Sequence, residues 1–198
     1  MIELSASAPG VVERLLEALR RPGAVLLLPT ETVYGLICRA DDAAAIERIS
    51  CLKQRKEGKR YGWFLRDWSE LKNCGLVSNG VADDLARRYF PGPLTLIIKT
   101  CAGATQGVRI PAHPLLAQLL ARISAPLAQT SANASGQPDP KRLSEALAQL
   151  SGQPDVAVDG GILPGAPCGS TVVDTTTCPA VILRQGALQL GDRELVAP

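Results

Sequence analysis

The chain has 198 residues, 46% of them apolar, with 21 Lys+Arg against 19 Asp+Glu and a single histidine, His113. One imidazole, and cysteines among which no C-x-x-C occurs, exclude zinc sites that need two imidazoles or a close thiol cluster. A net charge of +2 is too small for a general polyanion binder, and the longest plain aliphatic run, residues 24–28, is far too short to cross a bilayer.

Helical and strand signals then alternate along the chain. Val12, Leu15, Leu16 and Leu19 fall on one helical face. Residues 24–28 and 33–38 read as strands, joined by the polar link Pro29-Thr30-Glu31-Thr32. Asp41 or Asp42 caps a helix that carries Ala45, Ile46, Ile49 and Leu52 and ends near Lys53. Residues 61–65 read as a strand, and Asp67 starts a short helix. Asn79 caps a helix with Ala82, Leu85, Ala86 and Tyr89 inward, which Pro91-Gly92-Pro93 stops. Residues 94–99 and 107–110 are strands, and Pro114 suits the first turn of a helix bearing Leu115, Leu116, Leu119, Leu120 and Ile123. A strand at 125–129, a loop at 130–138 and a helix opening at Asp139-Pro140 follow. Three strands close the pattern, at 156–158, 170–174 and 180–184.

This alternation predicts an α/β fold: a single domain over residues 1–198, with a twisted mixed β-sheet and helices packed on it. No basic stretch precedes an apolar one at the N-terminus, and the thiols lack framework spacing, so the expected setting is the cytoplasm. Positive charge is concentrated in residues 53–60, which net +4, leaving −2 for everything else. Such a window is either a solvated helix end or an anion site in which Arg55 and Lys59 hold phosphates. No P-loop and no G-x-G-x-x-G occurs, so side chains would have to carry a nucleotide.

Seven segments, in order and at workable spacing, carry a resemblance. They are residues 29–36 (PTETVYGL), 53–55 (KQR), 91–96 (PGPLTL), 108–114 (VRIPAHP), 130–136 (TSANASG), 169–174 (GSTVVD) and 184–186 (RQG). Together they resemble the YrdC-type threonylcarbamoyl-AMP synthase family, over about residues 10–187. The resemblance implies an open basic groove in which L-threonine, bicarbonate and ATP become threonylcarbamoyl-AMP and pyrophosphate. Downstream transfer proteins would pass the threonylcarbamoyl group to tRNA. The chain ends without the extra C-terminal domain of longer relatives and so resembles the short form.

By that resemblance Lys53, Arg55, Ser131 and Asn133 are the catalytic set. Arg55, Lys59, Thr105, Ser131, Asp139 and Arg184 would bind ATP, and Thr32, Arg109, Gln129 and Ser170 threonine. Arg109 is the natural fork for the threonine carboxylate. Positioning and charge stabilisation are what attack of a carbamate on a phosphorus requires. No carboxylate cluster marks a protein-built metal site, so Mg²⁺ would arrive with ATP. Each residue also has a plainer role open to it. Ser131 and Asn133 suit loop formation, Asp139 a helix cap, and Arg109 the wet face of a strand. Many relatives follow K-x-R with proline and later carry Asn-Pro-Leu and a His, where this chain has Lys56, Lys59 and Phe64. The identity of the amine is therefore open. Two other functions compete: a double-stranded RNA or ribosome-associated binding factor using the same groove, and a carbamoyl-transfer domain using ATP.

Overall fold

Residues 1–54, 60–164, 168–191 and 195 are described by the structure, a computed structural model. Among them eleven strands form one mixed, unclosed sheet. The strands are β1 (Ile2–Ser5), β2 (Leu26–Leu28), β3 (Gly35–Arg39), β4 (Gly62–Phe64), β5 (Leu76–Val77), β6 (Leu94–Thr100), β7 (Thr105–Arg109), β8 (Leu127–Ser131), β9 (Val156–Asp159), β10 (Thr171–Asp174) and β11 (Val181–Arg184). The helices are α1 (Val11–Leu19), α2 (Ala43–Leu52), α3 (Gly80–Tyr89), α4 (Pro114–Leu120) and α5 (Leu143–Gln149), and a 3₁₀ helix spans Trp68–Cys74. Strand order is β1-β9-β2-β3-β8-β4-β7-β6-β10-β11, with β5 pairing β6 off this path.

Helix starts follow local chemistry. Asp42 accepts the Ala45 N–H at 3.0 Å and Asn79 the Ala82 N–H at 2.9 Å, each satisfying a donor with no partner inside the helix. Asp67 does the same for Ser69 at 2.8 Å. The helix expected from Asp139 begins instead at Leu143. The Glu145 carboxylate takes the N–H groups of Lys141 (2.8 Å) and Arg142 (3.2 Å), which sets the start there and leaves Asp139 in the loop. The strand expected at 125–129 lies two residues later, paired with β3 from Leu127 to Ser131. β1 and β5 are absent from the sequence-based expectation.

Strand register shows why a cleft opens on one face. Leu27, Leu36, Cys38, Ala128 and Ala157 point to the side covered by α2 and α5. Leu96, Ile98, Val108 and Val173 continue that side under α3. On the opposite face, Leu26, Ile37, Phe64, Leu127 and Val156 pack under α1 and α4. Beyond Phe64 that face carries Gly62, Gly107, Thr105, Ile97, Thr95 and Val172, residues two apart along their strands. The two glycines and two threonines among them interrupt the apolar core, and all six residues line a cavity.

Candidate functional site

The cavity occupies about 310 Å³ over β4, β7, β6 and β10, with walls from β8, β11 and the link before β3. Thr32, Arg109, Gln129, Ser170, Thr105, Ser131, Asp139 and Arg184 all line it, so the sheet brings together eight residues spread from position 32 to position 184. Arg55 and Lys59 lie outside the described residues. Lys53 and Asn133 do not line the cavity.

Arg109 is 3% exposed, contrary to the wet-face role, and its donors are largely committed. Nη2 pairs with Glu31 Oε1 at 2.7 Å and donates to Thr32 Oγ1 at 3.2 Å, while Nε donates to the Gly92 carbonyl at 3.2 Å. The guanidinium carbon sits 5.6 Å from the Phe64 ring centroid. Burial lowers the Arg109 pKa, and Glu31 opposes the shift. The Nε–Nη2 fork expected to take a carboxylate is therefore occupied from within the protein. The two Nη1 hydrogens remain for a ligand, since Nη1 has no partner among the described residues.

Proton counting defines Thr32. The Thr30 hydroxyl donates to the Val33 carbonyl at 2.7 Å, so its 3.0 Å contact with Thr32 Oγ1 must be donated by Thr32. Thr32 thus spends its proton on Thr30, accepts from Arg109, and offers a ligand an acceptor only. A neighbouring amine suits it better than a carboxylate.

Ser170 and Thr95 share a hydrogen bond of 2.7 Å. Arg184 straddles the Ser170 carbonyl with Nη2 at 2.7 Å and Nε at 3.1 Å. Gly169 leaves room for this arginine, because a Cβ there would lie 2.8 Å from Arg184 Nη2. Gly186 is required for a harder reason. Its Cβ would meet backbone, the Gly169 oxygen and the Ser170 carbonyl carbon, both at 2.4 Å. Gly186→Ala is expected to cost roughly 1–3 kcal/mol in urea unfolding, since backbone cannot swing aside as a side chain can. The Gln129 amide lies over Gly62, where a Cβ would come within 2.6 Å of Nε2.

Lys53, Ser131 and Asn133 do come together, but as a clasp. Lys53 is 4% exposed, and its ammonium donates to the carbonyl of Ser131, the carbonyl of Asn133 (2.6 Å) and Asn133 Oδ1 (3.1 Å). Ser131 donates to Asn133 Oδ1 at 2.5 Å, and Asn133 Nδ2 donates to the Gln137 carbonyl at 2.6 Å. Lys53, expected in the catalytic set, donates to oxygens of the loop at Ser131 and Asn133. Ser131, which lines the cavity, keeps acceptor capacity there.

Sequence reasoning missed Glu31, Arg60 and Thr95. Glu31 was read as part of a polar link, and only the sheet order brings Arg109 to it. Arg60 lines the cavity and donates through Nη1 to the Thr105 carbonyl at 2.5 Å. Among the described residues no group of three His, Cys, Asp or Glu forms a metal cluster, and Asp139 is the one carboxylate in the described lining. No described helix is long and apolar enough to cross a membrane.

A model of the Sua5/YciO/YrdC family, described as telomere recombination, matches residues 17–186. The threonylcarbamoyl-AMP synthase of Pyrococcus abyssi is 34% identical over 89% of this chain and 54% of its own length. The synthase of Bacillus subtilis is 33% identical over 94% of this chain and 56% of its own length. The chain therefore spans little more than half of these relatives. YciO of Escherichia coli, whose name carries no activity, is 32% identical over 84% of both chains. Among solved structures, P. abyssi Sua5 complexed with L-threonine superposes with a TM-score of 0.83 at 31% identity, over 94% of this chain and 57% of that one.

Proposed function

The chain belongs to the Sua5/YciO/YrdC family, and on that premise we propose that its cavity joins L-threonine, bicarbonate and ATP into threonylcarbamoyl-AMP. The observation that carries this reading is the assembly of Thr32, Arg109 and Ser170 beside Arg184, Ser131, Thr105 and Asp139 in one cavity. A solved relative complexed with L-threonine supports the choice of amino acid.

The steps require little covalent help from the protein. Bicarbonate takes up a proton and loses water to give carbon dioxide; the threonine amine adds to it, giving a carbamate and releasing a proton. A carbamate oxygen then attacks the α-phosphorus of ATP, the α–β phosphoanhydride breaks, and pyrophosphate leaves. Arg109 Nη1 would receive the threonine carboxylate, and Thr32 Oγ1 would accept from the amine and aim it. Ser170 and Gln129 would complete the amino-acid pocket. Arg184, Ser131, Thr105 and Asp139 would hold the nucleotide, with Arg55 and Lys59 on the triphosphate. Magnesium enters with ATP as part of the substrate, where it shares the phosphate charge. Lys53 and Asn133 act by positioning Ser131. The product would go to transfer proteins that modify tRNA, in the cytoplasm.

Pyrophosphate release in the presence of Mg·ATP and bicarbonate tests this reading. Release that depends on L-threonine supports it. Release driven by a different amine would retain the nucleotide chemistry but move the amino-acid assignment. No amine-dependent release would overturn the synthase and favour RNA binding alone.

A further inference from the structure

Two buried polar atoms have no hydrogen-bond partner among the described residues: Glu31 Oε2, whose carboxylate pairs with Arg109, and His113 Nδ1. They belong to adjoining groups. Glu31 Oε1 accepts the Ala112 N–H at 2.9 Å as well as pairing with Arg109, which brings the carboxylate against the segment that carries His113. A buried polar atom without a partner costs free energy, and two in one place need a reason.

Charge counting supplies the reason. In the empty site the directly paired charges of Arg109 and Glu31 cancel, Arg184 being engaged on the Ser170 carbonyl. A ligand carboxylate on Arg109 Nη1 would set two carboxylates against the one guanidinium they share, in a largely buried place, and that is costly. We propose that Glu31 is a positioning residue that balances the charge of Arg109 in the empty site, and that His113 takes up a proton from solvent when a carboxylate ligand joins Arg109. An imidazolium within the electrostatic reach of Glu31 offsets the added negative charge. This rests on the reading of Arg109 as the receptor of the amino-acid carboxylate.

The charged groups involved come from three places in the fold. Glu31, in the link before β3, acts on the His113 ring; Arg109 pairs with Glu31 from β7; and Arg184 acts on Arg109 from β11. Burial holds His113 below the usual imidazole range, with Glu31 opposing, so the empty site keeps the ring neutral near pH 7. An entering carboxylate raises that pKa. Protons are taken up between the two values, and binding tightens as pH falls through the ligand-bound value towards the empty one.

Calorimetric titration of L-threonine, in buffers of different ionisation enthalpy, reads the proton directly. Wild-type protein is expected to take up more protons per threonine bound than His113→Gln. Its affinity should rise between about two- and tenfold from pH 8 to pH 6, a rise absent in that variant. Threonine's own ammonium contributes to both proteins equally, so the difference reports His113. In Glu31→Gln the uptake should also disappear, with threonine still bound. Equal uptake in wild type and His113→Gln, with threonine bound by both, would overturn the proposal alone. No threonine binding at any pH would overturn it together with the amino-acid assignment.

Discussion

Arg109→Ala is expected to lower the unfolding free energy by roughly 3–5 kcal/mol, because it strands a carboxylate that has lost its only cation among the described residues. Glu31 Oε1 would keep the Ala112 N–H, and Oε2 already has no partner among the described residues. Thr32 Oγ1 and the Gly92 carbonyl would each lose a donor as well. The stability loss and the binding loss should separate in a double variant. Arg109→Met with Glu31→Gln removes both charges and is expected to recover much of the stability in urea unfolding, while L-threonine binding stays absent. Equal instability in single and double variants would mean that packing over Phe64, and not the ion pair, dominates at this position.

Lys53→Met is expected to cost roughly 2–4 kcal/mol, since it removes the donor from three oxygens at once: the carbonyls of Ser131 and Asn133 and the side chain of Asn133. The loss should appear as a lower urea midpoint in the absence of any ligand. Substrate requirements should rise for ATP through the displaced Ser131, and a large excess of ATP should not restore the stability. A lysine that grips triphosphate behaves in the opposite way, with unchanged unfolding and a raised KM for ATP alone. Ligand-free denaturation of this variant decides between the two roles.

The β-strands around the site were legible because their alternation serves two different faces. Thr95 and Ile97 interleave with Leu94, Leu96 and Ile98, and the second set is buried under α3 while the first borders the cavity. Helix starts at Asp42 and Asn79 were legible from capping chemistry within three residues. The loop containing Ser131 and Asn133 was recognisable as a motif; in the structure Asn133 is bonded within the loop and Ser131 lines the cavity. What lay beyond sequence reasoning was direction across the sheet. Lys53 looks like the first cation of a charged window, but its backbone ends α2 and its side chain turns under β8. Arg109 looks like a solvent-facing strand residue until β4 is placed beside β7 and the link before β3 delivers Glu31. Asp139 resembles a helix cap, and Glu145 performs that role from inside the helix. In each case the deciding partner is set by strand order or by competition between two local acceptors, neither of which a residue's own neighbours reveal.

The account stands on one placement: a threonine carboxylate at Arg109, inside the open-face cavity. A crystal structure of the chain with L-threonine examines it directly. The predicted result is a carboxylate oxygen about 3 Å from Arg109 Nη1, with the amine facing Thr32 Oγ1 and the Glu31 pair intact. Threonine bound outside the cavity, or with its carboxylate on another cation while Arg109 Nη1 stays empty, would contradict it.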